Sequence, residues 1–84
     1  MPTALGKRLF LARSKRGYTM EQLGQRSTVH ASTINGIEKG RNDPGTVTTS
    51  KLAKALDVDP CWLAYGTGEK PDWASKTDKE ITED

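Results

Sequence analysis

The stretch Thr19–Glu38, TMEQLGQRSTVHASTINGIE, constrains the fold of this chain more than any other. Its apolar residues Leu23, Val29, Ile34 and Ile37 have the one-face spacing of two short helices that pack at a steep angle about a tight bend. Thr19 and Gln22 stand three apart, as a capping box requires: the threonine hydroxyl accepts from the Gln22 amide, and the glutamine side chain accepts from the Thr19 amide. Gly24 lacks a Cβ, so the second helix can cross close to the first. Ser27 and Thr28 interrupt the pattern where the bend must fall. A left-handed backbone would strain a threonine at position 28, so a different turn is expected there. The stretch reads as a helix-turn-helix.

The flanking sequence supplies further helices. Before it, Thr3 can cap a helix whose face carries Leu5, Leu9 and Ala12, and which ends near Arg16 with Gly17 in the left-handed position. Phe10 and Leu11 fall off that face, either as ordinary surface residues or as a contact patch. After it, Gly40 closes the third helix, and Arg41–Gly45 is a turn by composition, with Pro44 holding Asp43 out of helix. A fourth helix is expected at about Thr46–Leu56, burying Leu52, Ala53 and Leu56. Asp59 then caps a short fifth helix with Pro60 in its first position. Residues 67–84 are polar, acidic and without periodicity, and read as a disordered linker or tail. Within them Trp73 is suited to docking, on the domain or on a partner.

At 84 residues there is room for one domain with a modest core. The chain has one cysteine, Cys61, which permits no internal disulfide and points to the cytoplasm. No apolar run reaches the length of a membrane span. Charge is divided unevenly: residues 1–41 hold eight Lys/Arg against two Glu, a net +6, while residues 42–84 carry −4. A basic half that contains the helix-turn-helix suits a polyanion, because neutralised phosphates release counterions; it is also compatible with a merely solvated face.

TMEQLGQRSTVHASTINGIEKG, then NDP, KLAKALDVD and CWLAYGTG, resemble in register the Cro/repressor (XRE-like, lambda-repressor-like) DNA-binding family from about Leu5 to Gly66. The ending is similar to the fifth helix of phage repressor N-terminal domains. The resemblance implies an all-α, compact five-helix domain over residues 1–66 that binds double-stranded operator DNA as a homodimer. It implies that Arg13 and Glu38 pair to tie the first helix to the end of the third, although Arg13 could instead hold a phosphate. It makes Cys61, Trp62 and Tyr65 candidates for a dimer interface on the fifth helix, with a core position as the alternative for Trp62.

DNA recognition requires residues at the start of the second helix of the motif to reach base edges. His30, Ala31, Ser32, Thr33 and Gly36 occupy those places, where relatives commonly carry longer side chains at Ala31, Ser32 or Gly36. Small residues there would let the helix sit deep in the groove, so Gly36→Gln should hold it away. Thr19, Asn35, Lys39, Arg41 and Asn42 lie where family members meet the DNA backbone, and Arg41 could enter a minor groove.

Catalysis finds little footing: the chain has one histidine, His30, and one cysteine, set far apart, and no Gly-rich phosphate loop. No cofactor, metal or small-molecule ligand is expected. The leading expectation is a sequence-specific, dimeric transcriptional repressor of phage or prophage type that acts by occupying its operator. The alternative is a helix-turn-helix protein-interaction module, antitoxin-like or a regulatory partner domain, motivated by the small side chains at Ala31 and Gly36 together with Phe10, Leu11 and Trp73.

Overall fold

Residues 3–73 are described by the computed structural model, and their regular structure is five helices: α1 (Ala4–Arg16), α2 (Met20–Ser27), α3 (Ala31–Glu38), α4 (Thr46–Leu56) and α5 (Pro60–Tyr65). Local chemistry sets their ends. The Thr3 hydroxyl accepts from the Gly6 amide at 3.0 Å. The capping box at Thr19 forms in both directions, at 3.0 and 2.9 Å. Asp59 accepts from the amides of Cys61 and Trp62 at 2.7 and 3.3 Å, behind Pro60. α4 begins at Gly45 without a side-chain cap, and one turn on the buried Thr49 donates its hydroxyl to the Gly45 carbonyl at 3.0 Å. That bond lets a hydroxyl sit where apolar packing would otherwise be needed.

Every helix contributes to one core: Leu9 and Ala12 from α1, Leu23 from α2, Ile34 and Ile37 from α3, Leu52, Ala53 and Leu56 from α4, and Trp62 and Leu63 from α5. Burial of this apolar surface is the main favourable term in folding. Trp62 is only 1% exposed. This corrects its assignment to a dimer interface: as the largest core side chain it fills the space beneath α5 rather than presenting itself to a partner.

The packed body runs past the boundary expected at Gly66. Trp73 is half-buried, and its ring meets Trp62 edge to face, with centroids 5.6 Å apart and planes at 87°. Such T-shaped pairs are favoured by the ring quadrupoles. Of the expected tail, residues 74–84 lie outside the described residues.

The turn between α2 and α3 also departs from expectation. Thr28 does adopt the left-handed backbone, φ 60° and ψ 28°. Ser27 supports it: the buried hydroxyl donates to the Leu23 carbonyl at 2.7 Å and accepts from the Val29 amide at 3.3 Å. The Thr28 hydroxyl adds a bond to the Ser27 carbonyl at 2.6 Å. These local bonds and the burial of Val29 just beyond offset a conformation that threonine adopts at a cost of ~1–2 kcal/mol.

Candidate nucleic-acid interface

α2 and α3 are held together by the missing side chain at Gly24, where a Cβ would come within 2.7 Å of the Val29 carbonyl oxygen. Their angle therefore depends on glycine at that position. Along α3, Ser32 is exposed and Asn35 partly so, with Lys39 exposed just past its end, while Ile34, Ile37 and Glu38 face inward. His30 stands exposed at the N-cap with no side-chain capping bond, and Ala31 and Thr33 flank the stripe half-buried. At the start of α2, the Thr19 hydroxyl accepts from Gln22 and so keeps its own proton free to donate.

Gly36 is not the open notch expected from the sequence. A Cβ built there would run into the Asn42 side chain, reaching 2.8 Å from its Cγ, and Gly36 is buried beneath that side chain. The loop is wound back to this point by its backbone: the amides of Arg41 and Asn42 both donate to the Gly36 carbonyl, at 2.8 and 3.2 Å, and the Gly40 amide to Ile37 at 3.1 Å. With Gly40 left-handed at φ 77°, this is a Schellman ending. The deep-docking role given to Gly36 is thus corrected: its bare backbone receives Asn42. The backbone of Arg41 and Asn42 is thereby held against the last turn of α3.

Arg13 and Glu38 form the expected unit. Nε and Nη2 of Arg13 donate to the two Glu38 oxygens at 2.7 and 3.0 Å, and Nη1 donates to the Tyr18 carbonyl at 3.0 Å. The Glu38 hydrogen bond raises the Arg13 pKa further above its ordinary value, so the guanidinium stays charged. With all three nitrogens engaged, Arg13 supports the packing of α1 on α3 and is not placed to hold a phosphate.

Sequence reasoning missed a second inward cation. Arg8 is 7% exposed and donates from Nε to the Leu63 carbonyl at 3.0 Å and from Nη2 to the Ala64 carbonyl at 3.1 Å. It thereby satisfies carbonyls at the end of α5 that have no partner within so short a helix. The signal was available: Arg8 falls three after Leu5 and four before Ala12, on the apolar face. Arg16 is also engaged, donating to the Leu56 carbonyl at 3.1 Å and to Asp57 at 3.3 Å. The basic half is therefore less open than its count suggests, and the exposed cations beside α3 are Lys39 and Arg41. On α5, Cys61 and Tyr65 are exposed, and Tyr65 is 75% accessible.

The sequence matches the helix-turn-helix family over residues 9–63, a span that starts within α1 and takes in all of α2, α3 and α4. The chain belongs to the XRE-type helix-turn-helix family. Within that family it is 31% identical over 71 residues to an uncharacterized HTH-type transcriptional regulator, y4dJ, of Sinorhizobium fredii, covering 84% of this chain and 92% of the relative. It is 33% identical over 60 residues to the HTH-type transcriptional regulator ImmR of Bacillus subtilis, covering 71% of this chain and 47% of ImmR. Among solved helix-turn-helix structures, the restriction-modification controller protein C.AhdI from Aeromonas hydrophila superposes with a TM-score of 0.69 at 35% identity, over 71% of this chain and 91% of C.AhdI. The SinR protein/SinI protein complex matches at a TM-score of 0.70 and 22% identity, over 94% of this chain and 80% of that one, which shows a shared fold. Among the described residues no helix is long and apolar enough to cross a membrane.

Proposed function

We propose that this transcriptional regulator is a repressor that occupies operator DNA as a dimer, with α3 laid in the major groove and Lys39 and Arg41 against the backbone beside it. The observation that carries the reading is the exposed stripe of α3, polar along its length and flanked by two exposed cations that enter no salt bridge among the described residues. Ser32 and Thr33 would approach base edges, His30 and Asn35 the rim, and the Thr19 hydroxyl a phosphate. Half-sites would lie about one helical turn apart, ~34–36 Å. For the dimer contact, Cys61 and Tyr65 remain as candidates on the open side of α5, without Trp62.

Protein docking has less to stand on, because Trp73 turns inward and Leu11 is half-buried, leaving Phe10 exposed with the Arg13 guanidinium 5.4 Å above its ring. The test is a titration against random and selected duplexes at several salt concentrations, with sedimentation of the complex. Binding that weakens linearly in log salt, with two copies per selected site, supports the proposal. No binding at low salt refutes it. Tyr65→Asp should leave the fold intact and shift the complex toward one copy per duplex.

A further inference from the structure

The exposed stripe on α3 has a gap that the helix itself does not fill. At ~100° per residue, Gly36 falls only about 40° from Ser32 around the helix axis, against about 140° for the buried Ile37. By position, then, residue 36 belongs to the outward stripe, one turn after Ser32. It is nevertheless buried, and what buries it is the exposed Asn42 side chain.

We propose that Asn42 acts as the missing side chain of position 36: its carboxamide, carried in from the loop, reads one base in the major groove next to the base met by Ser32. This rests on the reading that α3 enters the groove. Two features make Asn42 fit for the task. Its backbone is fixed, because its own amide and that of Arg41 converge on the Gly36 carbonyl at 3.2 and 2.8 Å. Its side chain rests against glycine, a surface that leaves room for the amide at the place a side chain on residue 36 would take. A carboxamide offers one donor and one acceptor side by side, the pattern that matches N7 and N6 of adenine in the major groove. The recognition surface is therefore composite, hydroxyl from the helix and amide from the loop. Asn42 is thereby a specificity-determining residue rather than one more phosphate contact.

Selection from a random-duplex library with the parent and with Asn42→Ala, Asn42→Asp and Gly36→Ala tests this. The parent should enrich a motif with adenine at one position per half-site. Asn42→Ala should lose preference at that position alone, by about tenfold, with the other positions and the salt slope unchanged. Asn42→Asp, of the same size but unable to donate, should move the preferred base toward cytosine, whose N4 donates. Gly36→Ala should push the Asn42 side chain aside and lose the same position, while its melting temperature does not fall, alanine being the better helix former. A motif unchanged by Asn42→Ala, with binding to all duplexes weakened alike, would mean a phosphate contact or a loop support and overturns the inference alone. A parent that enriches no motif overturns the DNA reading and the inference with it.

Discussion

Replacing Glu38 by methionine should cost the domain about 3 kcal/mol, and replacing Arg13 and Glu38 together by methionine should cost only about 1. The Glu38 side chain is 6% exposed and that of Arg13 13%, so each single change leaves a largely buried charge without its partner. Removing one member of such a pair typically costs ~3–5 kcal/mol. The lower end applies, because the stranded Arg13 retains the Tyr18 carbonyl at 3.0 Å and the Phe10 ring at 5.4 Å. In the double variant both charges are gone and unbranched side chains fill the space. What remains is a Tyr18 carbonyl short of one donor, worth about 1 kcal/mol. With Arg13→Met costing about as much as Glu38→Met, the two residues should couple by about 5 kcal/mol. A chain of this length has roughly 4–12 kcal/mol of stability in all, so the single variants should melt about 12–24 °C lower and the double variant only a few degrees lower. Urea unfolding followed by circular dichroism, with unchanged m-values, measures the three differences. If the double variant loses the sum of the single losses, the two residues act independently and the reasoning fails.

Thr28→Gly should raise the melting temperature by a few degrees, because a left-handed threonine costs ~1–2 kcal/mol and glycine's greater unfolded-state freedom returns about 0.5–1 of it; a fall in calorimetry would show that the Thr28 hydroxyl bond holds the turn. The Asp59 carboxylate lies below its ordinary pKa of 3.8, chiefly because the Cys61 amide donates to it. A lowered folded pKa means that its contribution is complete above the unfolded value and lost as pH falls through the folded one, so Asn at 59 should flatten the acid limb of a urea-midpoint profile while changing its slope little near neutrality. An acid limb identical to the parent's would contradict this. Arg41→Ala should weaken binding to every duplex and lower the salt slope by about 1; loss of preference at a single base pair would instead place Arg41 at a base edge.

The elements were legible because their signals are local. Thr19 with Gln22, and Asp59 with Pro60, mark helix starts by side-chain reach along the sequence alone, and the observed fourth helix coincides with the expected Thr46–Leu56. The Arg13–Glu38 pair was visible through family resemblance, since nothing in the sequence between these two residues, 25 positions apart, predicts contact. Contacts set by three-dimensional approach were not visible. Gly6 has no turn to make, yet a Cβ there would come within 2.6 Å of the Ile37 carbonyl oxygen, so α1 and α3 approach through it. Gly36 was misread for a related reason: its place among the recognition positions set it toward the DNA, and only the return of the loop shows Asn42 lying over it. Trp62 and Trp73 are each ambiguous in sequence and become clear as a pair. The left-handed Thr28 was unexpected because a residue's intrinsic preference says nothing about the hydroxyl at Ser27 that supports the turn.

The bond from Arg8 to Leu63 joins residues 55 apart and bears on the timing of synthesis. As the chain leaves the ribosome, α1 emerges with a cation on its apolar face, and the carbonyls that will receive it do not yet exist. At ~5–20 residues per second they follow about 3–11 s later. Until then the two carbonyls that receive Arg8 in the folded domain are missing, and burying the full face of α1 would desolvate the guanidinium without them. The contact between the first helix and the fifth is thus among the last that the growing chain can make, and a chain cut short before Leu63 lacks the carbonyls that receive Arg8.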